Sequence, residues 1–232
     1  LASFRPRFLD MDLSQVSPPC LAALQEYRNV LRQRNELLRQ DDVDVSLLDA
    51  WDPLLVKHGE LLMRERAEFL RDLSRWAEQA YCNIAEGEPL TIRYRRDVGE
   101  SEGFEEKLAA TRKSDIRRQL TTRGPHRDDI EFFIDDAPAR SHGSQGQQRS
   151  AALAVKLAEV ELIRERTEEY PILMLDEVLS ELDDERAGRL FKSVPDAVQT
   201  LITTTDLDDR RGVVGRNARR FTIERGALRE DI

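Results

Sequence analysis

Two adjacent carboxylates, Asp176 and Glu177, end an apolar run in the stretch PILMLDEVLSELD that begins at Pro171. Such a run predicts a strand buried on both faces, as in a parallel sheet. Open α/β sheets place their ligands at the carboxyl ends of the strands. There, one carboxylate can organise Mg²⁺ through its water shell while the other orients an attacking water, as phosphoryl transfer requires. The alternative is that the pair simply begins a solvated loop.

A second stretch, SQGQQRSAALAVKLAE from Ser144, offers a complementary surface. Gly143 and Gly146 bracket Ser144 and Gln145, and we expect a helix to start near Gln147. Backbone N–H groups, a hydroxyl and an amide then converge on the positive end of a helix, which suits a phosphate. A plain N-cap would explain Ser144 but not the glutamines. Together, the two stretches favour phosphoryl-transfer chemistry over two unrelated loops.

Two striped helices precede these stretches. Ser17 and Pro18 predict the start of the first helix. Its apolar stripe is interrupted by Arg34 and consists of Cys20, Leu24, Tyr27, Leu31 and Leu38. We expect Ser46, with Asp49, to cap a second helix that runs to about Ala85, with Pro53 causing a kink or a later start near Asp52. A short polar turn between such helices predicts an antiparallel hairpin, which makes a disulfide between Cys20 and Cys82 improbable.

Strand patterns follow the hairpin. LTIRYR from Leu90 alternates in polarity, and DIEFFID with a turn at Asp135 and Asp136 predicts the first half of a β-hairpin. FEEKLAATRKSDIRRQL between them predicts a helix. The fold class is therefore α/β with a helical-hairpin arm.

Composition limits the function classes. The 232 residues are 35% charged and 40% hydrophobic, and no apolar run approaches the ~20 residues that cross a bilayer. We expect a cytoplasmic protein without membrane contact. The net charge of -9 argues against an indiscriminate polyanion binder, so DNA contact needs local arginine clusters. Two clusters lie on the arm, around Arg28 and Arg32 and around Arg64 and Arg71, although most such runs are solvated helix faces.

At this point the chain resembles the RecF family of recombination and repair proteins. SQGQQR is similar to the signature motif of ABC-type ATPases, ILMLDE to their Walker B strand and SELD to their D-loop. Four stretches occur in the same order and with similar residues as in the RecF family: GPHRDDIEF, the signature stretch, LDEVLSELD and ITTTD. The resemblance covers nearly the whole chain and implies an ABC-type ATPase head of the SMC and Rad50 group.

The resemblance implies roles for individual residues. The signature residues Ser144, Gln145, Gly146 and Gln147 would face the γ-phosphate of ATP held by an opposing subunit. Asp176 would support Mg²⁺, Glu177 would be the general base or water-positioning residue, and Ser180 and Asp183 of the D-loop would couple the two sites. The switch histidine of many ABC ATPases is replaced here by Thr204, Thr205 or Asp206. The roles of His126 and Arg127 in GPHRDD stay open between anion binding and structural hydrogen bonding.

No G-x-x-x-x-G-K-[ST] loop occurs in the sequence. In the family that loop lies near the N-terminus, so we expect this chain to be the carboxyl-terminal two-thirds of such a protein and inactive alone. The expected divisions are 1–16, a connecting helix; 17–86, the arm; 87–169, a small β element with the signature helix; and 170–232, part of the nucleotide-binding lobe. The resemblance implies that TLITTT and RRFTIERGAL are strands of that last part, the latter closing the fold. Without its other strands, that part should expose apolar sheet.

The implied function is ATP-dependent binding to DNA. The intact protein would be a slow ATPase that dimerises on ATP, binds double-stranded or gapped DNA at single-strand junctions, and works with RecO- and RecR-type partners near the nucleoid. The alternatives are a non-catalytic protein-interaction arm, which should bind its partner equally without ATP, and another SMC- or Rad50-like ATPase, which the short arm disfavours.

Overall fold

The computed structural model describes residues 6–85, 88–99, 103–178, 182–205 and 218–231. The helices are α1 (Pro6–Val16), α2 (Pro18–Leu38), α3 (Val45–Ile84), α4 (Phe104–Arg118), α5 (Ala139–His142), α6 (Gln145–Thr167) and α7 (Asp184–Ser193). The strands are β1 (Leu90–Arg95), β2 (Asp129–Ile134), β3 (Ala137–Pro138), β4 (Leu173–Asp176), β5 (Thr200–Thr203), β6 (Arg220–Glu224) and β7 (Ala227–Asp231). The predicted α/β class with a helical arm is confirmed.

The helices α2 and α3 form the predicted antiparallel hairpin. Ser17 caps α2, and its Oγ accepts the N–H of Cys20 at 3.3 Å. The start of α2 meets the middle of α3, since Ser17 Oγ donates to Glu65 Oε2 at 3.4 Å, while Arg34 near the end of α2 reaches Asp52 in the first turns of α3. Cys20 is buried and both cysteines are free, so the expectation of no disulfide is confirmed.

The predicted start of α3 is wrong. Asp44, not Ser46, is the N-cap, and its Oδ1 accepts the backbone N–H of Ser46 at 2.9 Å. The later start near Asp52 is also wrong, because the helix continues through Pro53. The earlier start lets Leu48 become fully buried in a small cluster with Leu37 and Leu38 at the tip of the arm. That burial favours the additional helical turns despite the proline.

The interruption of the α2 stripe at Arg34 is a buried ion-pair hub. The Arg34 side chain is fully buried, and its Nε donates to Asp52 Oδ1 at 2.7 Å. Its Nη1 donates to Asp115 Oδ2 at 2.9 Å and to Thr121 Oγ1 at 2.7 Å. One guanidinium thus joins α2 to α3, α4 and the segment after α4. Arg34 is therefore not part of an exposed basic face of the arm.

Arg66 on α3 forms a second buried hub. Its Nε and Nη2 donate to Asp10 Oδ1 of α1 at 3.0 and 2.7 Å. Its Nη1 donates to the carbonyl of Pro125 at 2.7 Å and to Asp128 Oδ2 at 3.1 Å. Arg66, like Arg34, is therefore no part of an exposed basic face. The guanidinium ties the connecting helix and the arm to the segment that precedes β2.

Those contacts explain the sequence GPHRDD. The two ring nitrogens of His126 are within hydrogen-bond distance of Tyr27 Oη at 2.7 Å and of the Thr121 carbonyl at 3.1 Å. Gly124 has φ 130°, and a Cβ there would lie 2.7 Å from Tyr27 Oη. Because glycine alone tolerates both conditions, the motif brings the β element against α2. The structural hydrogen-bonding role of His126 is therefore the one supported, while Arg127 is exposed.

The small sheet is as predicted. β1 and β2 pair antiparallel from Leu90 opposite Ile134 to Arg95 opposite Asp129, and β3 returns along β2. Asp135 and Asp136 have φ of 49° and 61°, as a tight hairpin turn requires. This sheet packs on α3 beside the end of the arm.

The later strands differ from expectation. β4 and β5 are parallel, but β4 is buried on only one face: Leu173 and Leu175 lie in the core while Met174 is 74% exposed. Leu201 of β5 is 49% exposed, so the expected exposure of apolar sheet is confirmed.

RRFTIERGAL is not one closing strand, because Arg225 and Gly226 have positive φ and turn it into the hairpin of β6 and β7.

The signature helix α6 packs along α3 through small residues. Ala151, Ala154 and Ala158 are buried, and their small side chains allow the two helix backbones to lie close together. Glu159 of α6 and Asp12 of α1 are also buried, and one oxygen of each has no hydrogen-bond partner among the described residues. Burial raises the pKa of both carboxyls, and the charge of Asp12 raises the pKa of Glu159 further. The charge of Lys156 opposes both pKa shifts, and its Nζ lies 2.8 Å from Glu159 Oε2.

We predict that Arg66→Met lowers the free energy of unfolding by about 3–5 kcal/mol, because it leaves Asp10 and Asp128 buried without their cation. Urea denaturation followed by circular dichroism measures the loss. Arg64→Met, two residues earlier on the exposed side of α3, is the matched control and should change stability by less than about 0.5 kcal/mol. Equal losses in both variants would contradict a special role for the buried hub.

We also predict a pH dependence from the carboxyl pair. A carboxyl whose pKa is higher in the folded than in the unfolded state retains a proton that the unfolded chain releases, so stability falls as pH rises above about 4 towards neutrality. Glu159→Gln should flatten that fall, measured as urea midpoints across the pH range. Glu161→Gln, which removes a partly exposed carboxylate from the same helix, should leave the slope unchanged. An unaltered slope in Glu159→Gln would contradict the assignment.

Candidate functional site

The signature turn, residues 143–148, is held by a capping box. Ser144 is the N-cap of α6, so the helix starts at Gln145 and not at Gln147 as predicted. The Oγ of Ser144 accepts the N–H of Gln147 at 3.1 Å, and Oε1 of Gln147 accepts the N–H of Ser144 at 2.8 Å. Gln148 Nε2 donates to the Gly143 carbonyl at 2.9 Å. Two glutamines that a plain cap left unexplained thus shape the turn itself.

Gln147 also joins the turn to the end of the arm. Its Nε2 donates to both carboxylate oxygens of Glu88, at 3.1 and 3.0 Å. The buried Tyr81 of α3 donates its hydroxyl to Glu88 Oε2 at 3.1 Å. Burial, together with this carboxylate, raises the pKa of Tyr81. Glu88 was not predicted as a site residue.

The outer side of the turn remains accessible. Ser144 and Gln145 are exposed and Gly146 is half-buried. The positive end of α6, a helix of 23 residues, therefore faces open space. An anion that approaches from outside the chain can reach this end, as the sequence predicted for a phosphate.

Asp176 and Glu177 lie at the carboxyl end of β4. Asp176 pairs with Thr203 in the parallel register, and Thr203 Oγ1 donates a hydrogen bond to Asp176 Oδ1. Glu177 turns out of the strand with φ 53°, and its N–H donates to the Thr203 carbonyl at 3.2 Å. Thr203 was not predicted as a site residue. Pairing the two apolar runs as parallel strands would have placed it opposite Asp176.

The residues at this end fit a magnesium ion that arrives with a phosphate. Among the described residues no group of three or more His, Cys, Asp or Glu side chains could hold a metal ion. Asp176 is exposed and offers one carboxylate oriented by Thr203. Mg²⁺ is commonly held by one or two carboxylates together with water and substrate phosphates, so a dedicated cage is not required.

The D-loop aspartate Asp183 caps α7. Its Oδ1 accepts the N–H of Arg186 at 2.8 Å. Ser180, the other predicted D-loop residue, lies outside the described residues, as does Asp206 of the predicted switch. Thr204 and Thr205 follow the end of β5, half-buried and exposed respectively.

The structure brings the signature turn close to the start of α7, which Asp183 caps. A cavity of about 330 Å³ lies between them, lined by Ile84, Ala85, Glu88, Gln147, Ser150, Asp183, Glu185, Arg186 and Arg189. Arg186, which sequence reasoning also missed, lies against Gly146. Asp176 and Glu177 do not line this cavity. The candidate site residues therefore fall into two groups: the signature turn with Asp183, and the carboxylates Asp176 and Glu177 with Thr203.

The four arginines predicted to contact DNA lie on the arm. Arg28 is 57% exposed and pairs with Asp10 at 3.3 Å, and Arg32 donates to Asn29 at 3.0 Å. Arg71 is 74% exposed and lies 3.6 Å from Asp72. An open groove beside α3 is lined by Arg64, Arg71 and Arg96 but also by Glu60 and Glu68.

None of the described helices combines the length and apolarity needed to cross a bilayer.

Comparison of the sequence with known proteins finds similar curated relatives. No protein-family model matches the chain. The chain is 40% identical to the DNA replication and repair protein RecF of Bacillus subtilis (strain 168) over 238 residues, and equally identical to RecF of Bacillus cereus (strain AH820). Each alignment covers 97% of this chain and 64% of the relative. The chain therefore spans less than two thirds of the length of these curated relatives.

Solved structures agree with the sequence comparison. The recombination mediator protein RecF of the RecFOR pathway superposes with a TM-score of 0.83 in both its RecF-ATPrS and its RecF-ATP forms, at 30% and 29% identity. Each superposition covers 97% of this chain and 62% of the solved chain. The likeness therefore extends over both groups of candidate site residues.

Proposed function

Because this chain belongs to the RecF family of DNA replication and repair proteins, we propose that it supplies two parts of a composite ATP site in an ATP-dependent DNA-binding protein. The observation that carries the proposal is the separation of the site residues into two groups on one chain. The signature turn faces outward, while the carboxylates lie at a sheet edge and line no part of the cavity behind that turn. Two such chains arranged head to tail could close both groups on one nucleotide.

In this arrangement each group has a distinct task. The signature residues Ser144, Gln145, Gly146 and Gln147 face the γ-phosphate of ATP held by the opposing subunit. The N–H groups of Gln145 and Gly146 and the hydroxyl of Ser144 donate to it, while Gln147, whose own N–H is bound to Ser144 Oγ, holds the shape of the turn. Asp176 holds Mg²⁺ through water, with its carboxylate oriented by Thr203. Glu177 orients the attacking water and accepts its proton. When bound, Mg²⁺ supplies charge neutralisation on the phosphates.

The remaining assignments follow the family. Ser180 and Asp183 would transmit closure between the two sites, and Thr204, Thr205 or Asp206 would sense the γ-phosphate. The arm arginines Arg28, Arg32, Arg64 and Arg71 would contact DNA phosphates, so binding should weaken as salt rises. We place the division between the two lobes near residue 170. Residues 1–16 would connect to the arm at 17–86, and 87–169 would hold the signature helix.

The biological role we propose is recombination mediation. The solved relatives are recombination mediator proteins of the RecFOR pathway, which favours RecO- and RecR-type partners. The protein would dimerise on ATP, hydrolyse it slowly, bind duplex or gapped DNA and help to load a strand-exchange recombinase. It would work in the cytoplasm, associated with the nucleoid. This chain alone, whose sequence has no G-x-x-x-x-G-K-[ST] loop, would be inactive.

The experiment uses the extended chain, meaning this chain joined to the family segment that carries the missing loop. Titrating a fluorescent ATP analogue with Mg²⁺ should show binding by the extended chain and none by this chain alone. ATP should also produce dimers, measured by sedimentation. We predict that Ser144→Arg abolishes dimerisation and leaves ATP affinity within about twofold, because the new side chain replaces the cap and fills the space for the partner's phosphate.

Ser141→Arg is the matched control, because Ser141 is exposed and lies three residues before the cap. That variant should dimerise as the parent does. Dimers retained by Ser144→Arg would overturn the composite-site proposal. ATP-independent behaviour throughout would favour the interaction-arm alternative.

We further predict that Glu177→Gln in the extended chain slows ATP hydrolysis by about 10²–10⁴-fold, because the amide cannot accept a proton from water. The dimer should consequently persist, measured as its lifetime after ATP is diluted. Glu169→Gln, an exposed carboxylate in the segment before β4, is the control and should turn over normally. Unchanged turnover in Glu177→Gln would remove Glu177 from this role.

A further inference from the structure

Arg186 on the first turn of α7 lies directly against the signature turn. A Cβ built on Gly146 would be 2.7 Å from Arg186 Nη1 and 3.7 Å from Cζ. The first of these distances is too short for any real Cβ, so the guanidinium occupies the space that a side chain at 146 would need. Gly146 therefore leaves room for the guanidinium, and a side chain at this position would displace Arg186 from the turn.

The position of Arg186 is set by the D-loop aspartate. Asp183 Oδ1 accepts the backbone N–H of Arg186 at 2.8 Å, and its Oδ2 lies 3.5 Å from Arg186 Nε. Asp183 thus holds both the backbone and the side chain of the residue that contacts Gly146. A movement of Asp183 would be transmitted to the signature turn through one side chain.

The space behind this contact is not filled by other side chains. The cavity of about 330 Å³ separates the first turns of α6 and α7, and both helices pack instead on α3. The Ser150 hydroxyl, which is fully buried and lines this cavity, has no hydrogen-bond partner among the described residues. Arg186 therefore bridges a gap in the packing, where a side chain can shift without displacing a close-packed core.

The charge of Arg186 is also unusual for its place. A cation in the first turn of α7, beside the first turn of α6, lies next to two partially positive helix ends. The arrangement is tolerated because Asp183 is close. A phosphate at the signature turn would add a second anion near the guanidinium, so nucleotide binding and the position of Arg186 are electrostatically linked.

Resting on the function proposed above, we propose that Arg186 is a positioning residue that couples the signature turn to Asp183 within one chain. It fixes Gly146 and Asp183 relative to each other, so that both meet the nucleotide of the opposing subunit in register. Arg186 need not touch the nucleotide to do so. The same contact makes the signature turn responsive to the position of Asp183 in its own chain.

The test compares Arg186→Ala with Gly146→Ala and the double variant in the extended chain. Each single variant should weaken ATP-driven dimerisation by about tenfold or more while ATP affinity stays within about twofold. Because both break the same contact, the double variant should be no worse than Arg186→Ala alone. Arg189→Ala is the control, since Arg189 is on the same helix and lines the same cavity but reaches the Ile84 carbonyl and Glu185 instead.

A nucleotide-free measurement separates this inference from the proposed function. Amide hydrogen exchange at residues 145–148 should accelerate by about tenfold in Arg186→Ala, with an unchanged melting temperature and no acceleration in Arg189→Ala. Unchanged exchange, or a double variant about tenfold worse than Arg186→Ala, would overturn the coupling. If the parent fails to dimerise with ATP yet exchange accelerates as stated, the composite-site proposal fails and the contact stands.

Discussion

Two guanidinium groups buried by the helical hairpin determine how the other elements assemble. Arg34 holds α2 to α3 and α4, and Arg66 holds α3 to α1 and to the segment before β2. A buried cation must be paired and hydrogen-bonded, so each one specifies which carboxylates come to it and in which geometry. Apolar contacts alone would allow α2 to shift along α3. The arginines fix its register and, through Asp128 and Pro125, the position of the small sheet.

The register of the arm in turn positions the candidate site. α3 packs along α6 through alanines. This packing fixes the position along α3 of the signature turn, which lies at the start of α6. Glu88, just past the end of α3, then binds Gln147. The capping box is thus anchored from outside the helix as well as from within. An anion site built in this way is preorganised, because its N–H donors are already oriented before any ligand arrives.

Periodicity and motifs predicted most of the helices, the small sheet and the carboxylates at the end of β4. These features depend on neighbours in sequence, which a pattern can report. Arg34 was read as a break in a stripe because its partners Asp52 and Asp115 lie on other helices. Met174 was expected to be buried, because an apolar run does not say how many layers cover it. Thr203, Glu88 and Arg186 were missed because each contacts a site residue that is distant in sequence.

The length of α3 has a mechanical consequence. One end of this 40-residue helix, at Ile84, lines the cavity beside the signature turn, and its other end forms the tip of the arm. At 1.5 Å per residue the helix is a rod of about 60 Å. A tilt of about 5° at the cavity end would move the tip by about 5 Å, if the rod stays straight. The helix is therefore a lever, and changes too small to reorganise a nucleotide site can become displacements large enough to alter what the tip of the arm can reach.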